Sequence, residues 1–132
     1  FNVVLETGFE NIGPNSGWDR HFYTEKTGKA FFLEQIPLFL SKQGYVSVLR
    51  NLGFDLFDDI VDHSYDSIID PNERINVLTN ECIRISKVGL EHFKNIQNLK
   101  ERLQYNKTHR KVVLSQLEEK SLVELKAWFN SL

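Results

Sequence analysis

The sequence predicts an α/β protein: a parallel sheet of about three to four strands flanked by helices, then an all-helical C-terminal region. Three observations carry that expectation. Short β-branched and aromatic runs alternate with helical patterns over residues 1–70. Beyond them, over residues 71–132, apolar residues recur at three- and four-residue spacing. At the junction stands Asp70-Pro71-Asn72-Glu73, a helix start with an acidic N-cap, proline at N1 and glutamate at N3.

Residues 1–7 open with Phe1-Asn2-Val3-Val4-Leu5 and predict a buried strand. Glu6 and Thr7 fall at its carboxyl end, where α/β sheets gather their ligand-binding groups. Residues 8–21 hold three glycines with Asn11, Pro14, Asn15 and Ser16, which is turn chemistry, and a loop of that length is usually functional. A helix is expected over roughly 24–34 and a strand over roughly 36–41, with Pro37 at its start. The next helix, roughly 44–52, lines up Val46, Leu49 and Leu52 and stops at Gly53.

Phe54 to Phe57 predict a third strand, followed by an acidic loop to Asp70. The helix after Asp70 carries Ile75, Leu78, Cys82 and Ile85 on one stripe, and Gly89 interrupts it. Leu90, Phe93, Ile96, Leu99 and Leu103 mark a helix over roughly 90–105, with a break at Asn106-Lys107-Thr108-His109. A last helix over roughly 110–130 turns Val113, Leu114, Leu117, Leu125, Trp128 and Phe129 inward. The two regions, 1–70 and 71–132, are expected to pack as one domain.

Composition narrows the function. Hydrophobic content of 41% and charged content of 26% are globular values, and a net charge of −2 argues against a general nucleic-acid binder. The single cysteine, Cys82, rules out an internal disulfide and a cysteine-based zinc site; its place on an apolar stripe reads as core filler. His21, His92 and His109 have no zinc-ligand spacing. Asp55, Asp58, Asp59, Asp62, Asp66 and Asp70 do not reproduce an EF-hand loop and read as a solvated acidic segment, so no metal is expected. Asp62-His63-Ser64 matches a hydrolase triad in composition alone. No run reaches the length of a membrane span and no secretory signal is visible, so the cytoplasm is the expected location. The chain contains no methionine and starts in mid-strand, which is expected of a piece of a longer polypeptide.

The remaining signal lies in Phe22-Tyr23-Thr24-Glu25-Lys26-Thr27-Gly28-Lys29-Ala30-Phe31-Phe32. Thr24 is an N-cap residue, and free N–H groups at a helix start, beside Lys26 and Lys29, suit an anion such as a phosphate. Glu25 can accept hydrogen bonds from sugar hydroxyls. Taken alone, the same pattern also describes a capped helix with a solvated polar face.

The order of these residues, followed by Ile36-Pro37-Leu38-Phe39, resembles a motif of the alpha-1,3-fucosyltransferases, in which an aromatic-x-x-Glu-Lys segment precedes a helix and a strand with a Val/Ile-Pro pair. Thr24-Glu25-Lys26-Thr27-x-Lys29, with Gly44-Tyr45 and Leu52-Gly53-Phe54, also looks like glycosyltransferase-like proteins of large phages and viruses. The resemblance covers residues 1–70 and implies a Rossmann-like, nucleotide-sugar-binding half of a GT-B type glycosyltransferase. It implies no cofactor beyond a nucleotide-diphosphate sugar as donor, with fucose as the sugar it suggests.

By the resemblance Glu25 meets the donor ribose and Lys26 the phosphates, with Lys29 or Arg20 assisting. The family's tyrosine falls on Phe22, so a hydroxyl contact there would pass to Tyr23. Its upstream Glu-Asn pair matches either Glu6 or Glu10-Asn11, and Ser41 stands where it tends to have glycine. The catalytic base would come from an N-terminal partner domain. Two other expectations stand beside this one. A non-enzymatic α/β module would dock partners, or a second copy, through its C-terminal helices. A phosphate enzyme outside sugar transfer has neither a Walker A sequence nor a Gly-x-Gly-x-x-Gly fingerprint to support it.

Overall fold

A computed structural model describes residues 1–6 and 24–130. Thr7, the loop at 8–21 with Arg20 and His21, and also Phe22 and Tyr23, lie outside the described residues, as do the side chains of Leu90, Leu125, Trp128 and Phe129. The elements are β1 (Asn2–Leu5), α1 (Glu25–Phe32), β2 (Pro37–Leu40), α2 (Tyr45–Asn51), α3 (Pro71–Ser86), α4 (Leu90–Lys94) and α5 (Leu99–Phe129), with a 3₁₀ turn at Ser64–Ser67.

β1 and β2 run parallel in register from Asn2↔Pro37 to Leu5↔Leu40. Pro37 is the first residue of β2, where its missing N–H costs the ladder least. Asn2 instead donates its N–H to the Ile36 carbonyl at 3.0 Å. The core forms around β2: Phe31 of α1 stacks on Phe54 at 4.2 Å, and Phe39 meets Tyr45 edge-on at 5.5 Å. Leu38, Val46, Leu49, Phe57 and Val113 complete it.

The expected sheet of about three to four strands is corrected: among the described residues it has two strands, and helix dominates the chain. Residues 54–57 form no strand. Their apolar side chains are buried as a strand's would be, but their backbone is paired differently. The Asn106 side-chain amide accepts from the Asp55 N–H at 2.9 Å and donates to the Asp55 carbonyl at 2.6 Å. Asp55 Oδ1 takes the Phe57 N–H, and Phe57 sits at φ 59. An amide side chain therefore occupies the place of a neighbouring strand. With the sheet this narrow, β1 is less covered than its composition predicts: Val4 is buried, whereas Val3 is 46% and Leu5 58% exposed.

The expected break at 106–109 is absent. α5 runs unbroken through it, and the chain turns earlier, at Asn98 with φ 59. Each residue of that supposed break has a hydrogen-bond partner, three of them outside α5. Asn106 holds Asp55, Lys107 Nζ meets Glu34 Oε1 at 2.6 Å, Thr108 Oγ1 donates to the Gln104 carbonyl, and His109 Nε2 lies 2.7 Å from the Leu52 carbonyl. Asn106 is 1% exposed, so its sequon is closed off in the folded chain.

Other local expectations match the observed geometry. Asp70 Oδ1 caps α3 by accepting from the Glu73 N–H at 2.8 Å, and Gly53 ends α2 at φ 88. Gly89 separates α3 from α4 as the N-cap of the latter. Arg74, 1% exposed, ties α3 to the end of β2 by donating to the Ser41 carbonyl at 2.6 Å and to the Ile69 carbonyl at 3.1 Å. Cys82 is half-buried on its stripe.

The acidic segment is structural more than solvated. Arg102 grips both Asp55 and Asp59, with its guanidinium 4.8 Å from the Phe57 ring centre. Asp66 caps α2 through the Val46 and Ser47 N–H groups, and Asp58 pairs with Arg50. Burial pushes the Asp55 carboxyl up, but the Arg102 guanidinium and the Phe57 N–H together more than offset this and hold it below the ordinary range.

His63 sits in a buried chain of hydrogen bonds. The Phe39 N–H donates to the Tyr65 hydroxyl at 3.1 Å; that hydroxyl lies 2.8 Å from His63 Nδ1, and Nε2 lies 2.9 Å from the Leu56 carbonyl. A neutral ring with its proton on Nε2 satisfies every member, with Tyr65 donating to Nδ1. Burial holds His63 below its ordinary pKa, although the Leu56 carbonyl favours the charged form. The folded value thus lies below the unfolded one, and the unfolded chain takes up the proton first. Stability is full above about pH 6.5 and declines as pH falls below it. The urea midpoint is expected to drop between about pH 7 and 5 and His63→Gln to flatten that slope. An unchanged slope would refute the assignment. The depressed carboxyls Asp55, Asp59 and Glu81 act in a separate window, below about pH 4.

Candidate functional site

The start of α1 stands at the carboxyl ends of β1 and β2. Thr24 is extended, at φ −100, and its Oγ1 accepts the Lys26 N–H at 3.1 Å, the expected N-cap. The same hydroxyl donates to Glu6 Oε2 at 2.6 Å. Thr27 donates to Glu6 Oε1, and the Tyr45 hydroxyl lies 3.3 Å from that oxygen and 2.8 Å from Thr27 Oγ1. Glu6, 7% exposed, therefore spends its acceptor capacity on three hydroxyls from α1 and α2. It anchors the start of α1 to the end of β1.

Glu25, Lys26 and Lys29 are all exposed. Glu25 and Lys29, four apart and so on one helical face, line a cleft of about 380 Å³ with Thr24, Gly28, Phe32, Arg110 and Leu114. Lys26 is rotated about 100° from Glu25 around the helix and is not among the cleft residues. The structure thus brings Glu25 and Lys29 together and sets Lys26 on the adjoining face. Arg20, Phe22 and Tyr23 fall outside the described residues.

The opposite wall belongs to α5. The Arg110 guanidinium carbon is 5.2 Å from the Phe32 ring centre, and Lys107 Nζ is 5.5 Å from it. Lys107 is neutralised by Glu34 at 2.6 Å. Arg110 Nε is buried with no hydrogen-bond partner among the described residues. Sequence reading missed Arg110, Phe32 and Leu114. Once α5 is continuous, Leu103, Lys107, Arg110, Leu114 and Leu117 recur at spacings of four and three, and that stripe was the available signal.

Two cations and a carboxylate around an aromatic ring, at a helix start, can hold an anionic group and accept hydroxyls beside it. No group of side chains that could hold a metal occurs among the described residues. No described helix is long and apolar enough to cross a membrane. Comparison with family models, with curated proteins and with solved structures returns no match.

Proposed function

We propose that this chain is the donor-binding part of a glycosyltransferase, holding a nucleotide-diphosphate sugar for transfer to a hydroxyl acceptor, with fucose as the sugar the motif resemblance favours. The observation that supports the reading is the cleft itself, where Glu25 and Lys29 face Arg110 at the start of α1. Glu25 accepts the ribose hydroxyls. Lys29 holds the phosphates from inside the cleft, and the helix start adds its N–H groups. Positive charge there stabilises the departing diphosphate without a metal. The base that deprotonates the acceptor belongs to an N-terminal partner domain.

Calorimetry with GDP, UDP and ADP tests this. One of them is expected to bind saturably at millimolar concentration, and Glu25→Ala and Lys29→Ala are each expected to weaken it about 10-fold, the loss of one charged hydrogen bond. The chain alone is expected to bind without transferring sugar. Absence of any nucleotide response removes the reading in favour of an interaction module. One observation favours that second reading: beyond Leu117 every described side chain of α5 is exposed, Leu122 and Val123 among them, which leaves a helical surface for a partner or a second copy.

A further inference from the structure

We infer that Arg110 is a ligand-binding residue that sets the cleft's preference for a diphosphate over a single phosphate, an inference that rests on the donor-binding reading. Arg110 reaches the cleft from α5 while Lys29 reaches it from α1, so two cations bracket one opening from separate elements. The neighbouring cation, Lys107, is committed to Glu34. The Arg110 guanidinium lies over the Phe32 ring, and its buried Nε lacks a partner among the described residues.

A guanidinium is a planar fork that binds phosphate oxygens in pairs, and a buried N–H left without an acceptor is costly, so an oxyanion entering the cleft gains both. A diphosphate presents two anionic centres to two cationic walls, whereas orthophosphate presents one.

The test is calorimetry with inorganic pyrophosphate and with orthophosphate on the full chain. The wild type is expected to bind pyrophosphate more tightly. Arg110→Gln is expected to weaken pyrophosphate about 10-fold and to bring the two anions level, and Arg110→Lys to retain part of the preference because charge survives without the fork. Lys107→Gln is expected to leave the preference in place. Circular dichroism confirms that each variant is folded.

Equal pyrophosphate binding by wild type and Arg110→Gln, or no binding by the wild type, overturns the assignment. The two readings separate cleanly. Pyrophosphate binding that depends on Arg110, with no nucleotide response, keeps this residue's role and removes the donor. Nucleotide binding that depends on Glu25 and Lys29 but not on Arg110 does the reverse.

Discussion

Asn106→Leu is expected to cost about 2–4 kcal/mol of folding stability. Leucine keeps the branching of asparagine, but its methyl groups cannot approach the Asp55 backbone as closely as the amide does, so some crowding is added. What disappears is the pair of hydrogen bonds to the Asp55 N–H and carbonyl. Both backbone groups then lose their partner beside a side chain that is 1% exposed, and each costs about 1–3 kcal/mol. The effect spreads, because Asp55 also carries the Arg102 contact that holds the 54–59 segment against α5. Urea denaturation at constant m-value reads the loss, with Gln104→Ala, an exposed change on the same helix, expected to stay within about 0.5 kcal/mol of wild type. An Asn106→Leu protein as stable as wild type would show that the amide is not what orders residues 54–57.

The largest loss is expected from Phe31→Ala, about 3–5 kcal/mol. Phe31 is fully enclosed and stacks on Phe54 with ring planes 10° apart, and Phe39 lies 6.3 Å away. Truncation removes the transfer energy of a large ring and leaves a void between α1, β2 and the turn after α2, which three separate elements cannot close by one shift. Phe32, its neighbour in sequence, is half exposed at the cleft, so Phe32→Ala is expected to cost far less. Comparing the two thermal midpoints checks the assignment. Equal losses would mean that the core does not turn on the Phe31–Phe54 stack.

What was legible in the sequence was local. Thr24, Asp70 and Gly53 act within a few residues of themselves, so their chemistry alone predicts the boundaries they make. Pro37 declares its place at the start of β2 in the same way. Residues 54–57 carry strand composition, but the partner that decides their backbone lies 51 positions further on and is a side chain. Periodicity reports burial, and these side chains are buried; it does not report what the N–H groups bind. Asn106 and Thr108 predict a helix break, because such residues compete for backbone hydrogen bonds. Here tertiary partners occupy Asn106 and His109, and Thr108 bonds back within its own helix. That one misreading also hid half of the site. Glu25 and Lys29 could be placed on a shared face from their spacing, but Arg110 joins them only if α5 is a single rod.

That rod has a mechanical consequence. Arg110 stands four residues, about 6 Å along the axis, from Asn106, and α5 is also pinned by Tyr105 to the Gly53 carbonyl and by Arg102 to Asp55 and Asp59. An intact helix cannot carry Arg110 outward without dragging these moorings with it. The width of the cleft is therefore governed from about one to two turns further down the same helix, and prising it open means unfastening the turn that follows α2.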